Sequence, residues 1–390
     1  MKFSCTKKDL VKALTDISKA TANHTIPILE GVQIKTGADN VTLTCYNFEF
    51  ALMATIPAAV TQVGKIVVTA GGLRKLAKKI SGDTLTITAR YKENPPASEG
   101  GKPVILHLIE LSDEYARITI TGMDADDYPP MPEIGQPKEL NVPQCTLRSM
   151  LDQTLYAVAK ADTKPIHTGV LFDLSDGRLS LISVDGYRLA LRQEQVNSSE
   201  KMSFVVPGLC LSNMVKLLNT KDKANARILM DGKYVIIEFG HYRVFSRLLD
   251  GEFMDYKGAI PNPTGKYVVL PVKELSNAIS RVIQISSNEK NSRRSPLRMV
   301  FSPDKISLDI NVLNGEYVEE IGCGSFGMDN EMTTGVIPNY LLDVLKIMDC
   351  DKLRVEFGSE FSPLKLVPTD GDERFIHLVL PFRLKSKQAA

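Results

Sequence analysis

The sequence predicts an α+β chain of three repeated domains, each with two helices packed on two small antiparallel sheets. Three observations predict it. One apolar helix template recurs six times, strand-like runs separate its copies, and pairs of copies match better than single ones. The template is Leu-x-x-apolar-apolar-x-x-apolar, which places positions i, i+3, i+4 and i+7 on one stripe of a helix. It occurs at Leu10/Ala13/Leu14/Ile17, Leu73/Leu76/Ala77/Ile80 and, with one Thr, Leu151/Thr154/Leu155/Val158. It returns at Leu211/Met214/Val215/Leu218, Leu275/Ala278/Ile279/Val282 and Leu341/Val344/Leu345/Met348. The gaps between starts are 63, 78, 60, 64 and 66 residues. The long gap contains the Pro/Gly-rich run 94–103, which reads as a surface-loop insertion.

Half-buried strands are expected after each helix, where apolar and polar residues alternate. Examples are 31–35 with 41–44, 169–173 with 179–183, and 297–301 with 305–310. Polar turns link them, such as Ser175-Asp176-Gly177. Pro27-Ile28-Leu29-Glu30-Gly31-Val32 resembles Pro165-Ile166-His167-Thr168-Gly169-Val170, and Ser295-Pro296-Leu297 holds the equivalent place in the last third. The domains are therefore expected at 1–133, 134–262 and 263–390. The period exceeds those of solenoid repeats, which favours repeated domains over a stacked array.

The composition is that of an ordinary globular chain, 43% hydrophobic and 24% charged. No run of residues is long and apolar enough for a membrane span, and the first residues lack the apolar core of a secretory signal. Six scattered cysteines without a C-x-x-C pair fit reduced thiols in a cytoplasm. The formal charge of +1 alone argues against a nucleic-acid partner. Its distribution argues the opposite. The predicted helices 7–20, 71–80, 146–160, 207–219, 271–285 and 338–349 together carry +8, leaving −7 on the rest. In the second helix Arg74, Lys75, Lys78 and Lys79 fill the polar positions with no acid. Helices facing one space would then form a positive surface that neutralises phosphates without reading bases.

Pro27-Ile28-Leu29, 127–132, Val184-Asp185-Gly186-Tyr187-Arg188-Leu189-Ala190, 246–256, Ser287-Asn288-Glu289-Lys290 and Val379-Leu380-Pro381-Phe382-Arg383-Leu384 form an ordered set of motifs. That set resembles the bacterial β sliding clamp family, the processivity subunit of DNA polymerase III. The resemblance covers nearly the whole chain. It implies three clamp-type domains per chain and a head-to-tail dimeric ring whose helices line a hole around double-stranded DNA. DNA contact would fall to Lys12, Arg74, Lys75, Lys78, Lys79, Arg148, Lys216 and Arg281. Ring closure would bring Ile118 and Ile120 of one chain to the region of Ile285 on the other.

The resemblance also implies a pocket for short peptides of the replicative polymerase, the clamp loader and repair proteins. Its wall would be His167, Val184, Gly186, Tyr187, Arg188, Leu189, Met254, Leu378, Val379, Leu380, Pro381, Phe382 and Arg383. Met254, Gly258, Phe382 and the tail 385–390 depart from common family choices, which bears on peptide preference. The implied protein is a non-catalytic, cytoplasmic, nucleoid-associated homodimer that uses no cofactor and touches no membrane.

Catalytic motifs are sparse. Gly322-Cys323-Gly324-Ser325-Phe326-Gly327 satisfies G-x-G-x-x-G but opens no helix, and no G-x-x-x-x-G-K-[ST] occurs. Asp124, Asp126 and Asp127 read as a solvated turn beside prolines, and His24, His107, His167, His241 and His377 show no metal-ligand spacing. Two rival readings follow: a metal-dependent repair nuclease that works through Asp126, and a protein-only adaptor that never touches DNA.

Overall fold

The computed structural model describes residues 1–21, 26–94, 104–160, 164–286, 295–312, 315–328, 330–369 and 374–384. His24, positions 95–103 of the insertion, the motif Ser287–Lys290 and the tail 385–390 lie outside the described residues.

The six predicted helices are present, several shorter than their apolar stripes. They are α1 (Lys7–Ile17), α2 (Ala70–Lys79), α3 (Gln144–Asp152), α4 (Gly208–Met214), α6 (Val272–Ser286) and α7 (Pro338–Leu345). A one-turn helix between the fourth and sixth, α5 (Tyr256–Ala259), was not expected; Asp255 caps it by accepting from the Lys257 and Gly258 amides. Thr6 caps α1 by accepting from the Asp9 amide. The third stripe does not run to 160. Thr154 Oγ1 donates back to the Met150 carbonyl at 2.9 Å, and the chain resumes as a 3₁₀ turn at Leu155–Ala157.

Among the described residues the strands form sheets of five, eight, nine and four strands, with antiparallel pairing throughout. The short Pro27–Glu30 and Pro165–Thr168 segments are matching 3₁₀ turns, each leading into a strand, Gly31–Thr36 and Gly169–Ser175. The small sheets expected for each third are joined edge to edge in two places. In the eight-stranded sheet, Phe50–Pro57 pairs with Tyr242–Arg247. In the nine-stranded sheet, Arg188–Gln195 pairs with Phe375–Val379. The compact units follow these shared sheets: one is Met1–Cys145 with Ser212–Leu248, the other Thr146–Leu211 with Leu249–Ala390.

Within the first unit α1 packs beside α2, with Leu10, Leu14, Ile17, Leu73 and Ala77 buried. Within the second, α6 packs beside α7 over one large core that includes Leu275, Ile279, Val282, Leu341 and Leu345. Those residues are the predicted stripes, so burial of one helix face drives this packing. On the opposite faces of the two long sheets lie smaller cores, built around Tyr128 in the first unit and Tyr256 in the second.

Candidate functional site

The strand Arg188–Gln195 begins at a tight turn. Asp185 Oδ1 accepts from the Tyr187 and Arg188 amides, both at 3.1 Å, and Gly186 adopts φ +82°. Glycine takes that left-handed conformation without steric cost. The register then sets Arg188 opposite Val379, Leu189 opposite Leu378 and Ala190 opposite His377. Strand alternation turns Leu189 and Leu378 to one face, Arg188 and His377 to the other.

On the helix-facing side Arg188 is held on four sides. Its Nε donates to Asp185 at 2.8 Å and its Nη1 to Asp343 at 2.5 Å. Its guanidinium lies 5.2 Å from the Tyr156 ring centre and 4.8 Å from that of Tyr340. Burial opposes the charge, but the bonds and charges of Asp343 and Asp185 outweigh it and hold the Arg188 pKa above its ordinary value. Tyr340 also stacks on Tyr187 at 5.6 Å. Tyr156 Oη pairs with His377 Nδ1 at 2.9 Å. Burial pushes the Tyr156 hydroxyl up and the His377 imidazole down to about 4, so both are neutral at pH 7. His377 Nε2 is buried with no hydrogen-bond partner among the described residues.

The other face is apolar. Leu189 and Leu378 sit in a core with Ile166, Leu171, Val205, Tyr256 and Ile376, edged by Leu249, Phe253 and Ala259. His167 meets Phe253 edge-on at 5.7 Å, and Met254 is half-buried nearby in sequence. Val184 and Val379 are buried, whereas Gly186, Tyr187, Leu380, Phe382 and Arg383 are exposed and Pro381 is half-buried. The terminal segment is tethered at two points: the Leu380 amide donates to the Tyr187 carbonyl at 2.8 Å, and the Phe382 amide to the Gly335 carbonyl at 2.7 Å. Phe382 thereby borders a cleft with Thr333, Glu360 and the exposed Phe361. The residues named from sequence thus fall around one strand junction of the second unit, some buried on either face of its sheet and some exposed.

Sequence reading missed Tyr156, Tyr340 and Asp343, which hold Arg188 in place, and His377, which pairs with Tyr156. Tyr340 and Asp343 lie three apart on α7, beside the apolar stripe rather than on it. An aromatic and an acid at that spacing were the available signal. Nothing local marks Tyr156 or His377, because strand pairing creates their contact.

The cations divide into two kinds. Lys12 bonds Asp16 at 2.8 Å and the Tyr242 hydroxyl at 2.6 Å. Arg148 approaches Asp152 at 3.5 Å. Arg281 pairs with Glu319, whose hydrogen bond is the main reason its pKa is raised. On α2, by contrast, Lys75, Lys78 and Lys79 are exposed and Arg74 is half-buried, with no acid in the helix. Lys216 is exposed as well. Ile118 and Ile120 are half-buried on Arg117–Thr121, an edge strand of the five-stranded sheet. Ile285, on α6, is 39% exposed.

The glycine-rich segment at 322–327 forms an edge strand, Gly324–Phe326, paired with Tyr267–Val269. Asp126 pairs with Lys65, and its amide bonds Asp124 Oδ1 at 2.9 Å. Among the described residues no three His, Cys, Asp or Glu side chains are grouped to hold a metal. No helix among them is long and apolar enough to cross a membrane. All six cysteines are free thiols.

Three family models match in order: DNA polymerase III beta subunit N-terminal domain over residues 1–132, central domain over 141–255 and C-terminal domain over 257–383. The beta sliding clamp of Bacillus subtilis (strain 168) is 28% identical over 98% of this chain and 100% of its own length. That of Synechocystis sp. is 25% identical over 98% and 100%. The crystal structure of the Bacillus subtilis DNA polymerase sliding clamp aligns with a TM-score of 0.88 at 27% identity, over 99% of this chain and 100% of that one. The Pseudomonas aeruginosa DNA polymerase III subunit beta gives 0.87 at 25% identity, over 98% and 100%. With that agreement in sequence and fold along its length, the chain belongs to the DNA polymerase III beta subunit family, the β sliding clamps.

Proposed function

We propose that two copies of this chain, each with domains at 1–133, 134–262 and 263–390, close head to tail into a ring around duplex DNA. The ring tethers the replicative polymerase and other partners and does no chemistry itself. It needs a separate ATP-dependent loader, and it works in the cytoplasm on the nucleoid. Retention by encirclement requires only weak, screened attraction to phosphates, which leaves the ring free to slide. The observation that carries the DNA contact is α2, with four cations, no acid and its apolar stripe turned into the core. Lys12, Arg148, Lys216 and Arg281 add to it. Closure would use the edge strand carrying Ile118 and Ile120 against the last domain near Ile285, where the edge strand Gly315–Gly322 exposes Val318. Arg117 on the one edge and Glu316 and Glu320 on the other are complementary in sign.

The junction of Arg188–Gln195 with Phe375–Val379 supports a peptide pocket. Its floor is Leu189 and Leu378, and its rim is Tyr187, Leu380 and Phe382. Short peptides of the polymerase, loader and repair proteins would place one or two apolar side chains there. The test is retention: labelled protein loaded by a clamp-loading ATPase onto a nicked circular plasmid should stay bound through gel filtration and be lost when the plasmid is cut once. Equal retention on linear and circular DNA would refute encirclement.

A further inference from the structure

Next to the proposed pocket the same sheet face changes character. Along the paired strands, Leu191 follows Leu189 and Ile376 precedes Leu378 by one side-chain repeat, about 7 Å. There the apolar floor runs into a cleft lined by Tyr256, Ile260, Gln193, Gln195, Asn262 and four cations: Arg178, Lys257, Lys365 and Arg374. Glu194 is the one carboxylate of its lining, and Arg192 pairs with it. Lys365 is buried to 2% exposure and lies 3.4 Å from Glu356, which stands outside the lining. Arg178 and Lys257 are exposed, and among the described residues neither side chain meets a carboxylate.

Tyr256 belongs both to the apolar core with Leu189 and Leu378 and to the lining of the cleft. It is buried, its hydroxyl donates to Asp173 at 2.8 Å, and it anchors α5, which carries Lys257. The cationic lining is therefore held on ordered elements: a strand pair on one side and the Asp255-capped turn on the other. Gln193 and Gln195 add neutral hydrogen-bonding groups between the charges.

We propose that this cleft extends the peptide pocket and takes acidic side chains of the same partner peptide, two to four residues from its apolar anchor. The spacing follows from the geometry, since an extended peptide advances about 3.3 Å per residue and the cleft opens about 7 Å beyond the floor. A run of Asp or Glu complements an excess of cations over acids, and such rim charges act chiefly on association and salt dependence. The inference rests on the pocket reading above and adds the chemistry of the partner's flanking residues.

The test uses full-length protein and fluorescein-labelled nonapeptides with an adjacent Leu-Phe pair. Two carry Asp-Glu-Asp two residues away, on the N-terminal or the C-terminal side; their twins carry Asn-Gln-Asn. One acidic peptide should bind about five- to tenfold tighter than its twin at about 50 mM salt, the advantage falling below about twofold at about 500 mM. The double variant Arg178→Glu, Lys257→Glu should lose the advantage and bind the amide twins unchanged; both residues are exposed, so folding is not at risk. A chain truncated before Phe382 should bind none of the four. If the amide twins fail to bind wild-type protein, the pocket reading falls. If they bind but neither acidic peptide gains, or if the double variant keeps the gain, only the cleft assignment falls. Competition by a single-stranded oligonucleotide as strong as that by the acidic peptide would assign the cleft to phosphates instead and overturn the proposal.

Discussion

Arg188 shows how one side chain ties the proposed pocket to the core beneath it. The arginine follows an Asx turn and ends, on the helix-facing side of the sheet, between two tyrosines and two carboxylates. Removing one member of a buried charged cluster strands its partners. Arg188→Ala should therefore cost about 3 kcal/mol in urea unfolding, and weaken peptide binding because Tyr187 loses the support of the stacked Tyr340. His377 supplies a pH dependence. Its folded pKa is depressed from 6.5 to about 4 by burial, so its contribution is complete above pH 6.5 and fades as pH falls toward 4, where the unfolded chain binds the proton and the native one does not. The slope is at most about 1.4 kcal/mol per pH unit for one group. Wild-type unfolding energy should fall more steeply between those values than that of His377→Phe; parallel curves would show that the imidazole does not titrate on unfolding. Sequence could name Arg188 through its motif. It could not supply Tyr156 or His377, whose meeting depends on a strand pair formed by residues far apart in the chain.

At the scale of elements, the six apolar stripes were legible because a helix needs only its own periodicity to declare a buried face. Their ends were less so. The third stripe keeps its pattern past Asp152, yet the α-helical ladder ends there, and the Thr154 amide bonds the Leu151 carbonyl three residues back at 3.1 Å. The two strand junctions show a repeat that motif comparison did not pair. Asn47 Oδ1 accepts from the Glu49 and Phe50 amides as Asp185 does from Tyr187 and Arg188, and Phe48 at φ +70° stands where Gly186 stands. At the first junction Phe48 and Tyr46 meet at 5.6 Å, and Tyr46 and Phe245 at 6.2 Å, so aromatic rings occupy positions that Val184, Gly186 and Leu378 hold at the second. The basic helix belongs to this scale too. Replacing Arg74, Lys75, Lys78 and Lys79 with Glu should leave the thermal melt nearly unchanged, because none is buried, and should weaken loading or sliding on DNA severalfold at about 100 mM salt. Unaltered retention would favour the adaptor reading over the clamp.

For the whole molecule the measurable consequence is mass. The chain weighs 43.0 kDa, and the proposed ring should sediment as twice that. Ile118→Asp with Ile120→Asp should shift it to the monomer mass without unfolding it, since both side chains are already partly exposed and charge on an edge strand blocks pairing. A monomer at micromolar concentration in the wild type would refute ring closure. The same experiment bears on function, because an unclosed ring has no topological hold on DNA, and weak phosphate contacts alone cannot replace it.

What the sequence determined by itself was the repeat, the helices and the uneven distribution of charge, because these depend on periodicity and on residues close together in the chain. The ordered motifs then identified the family. Tertiary structure decided what distant segments make when they meet: small sheets joined into two long ones, Arg188 enclosed on the helix-facing side by Tyr156, Tyr340 and Asp343, and a cationic cleft that borders an apolar sheet face. Strand register sets all three. Register is a choice between segments far apart in the chain, made by which side chains fit against one another, and no local pattern states it.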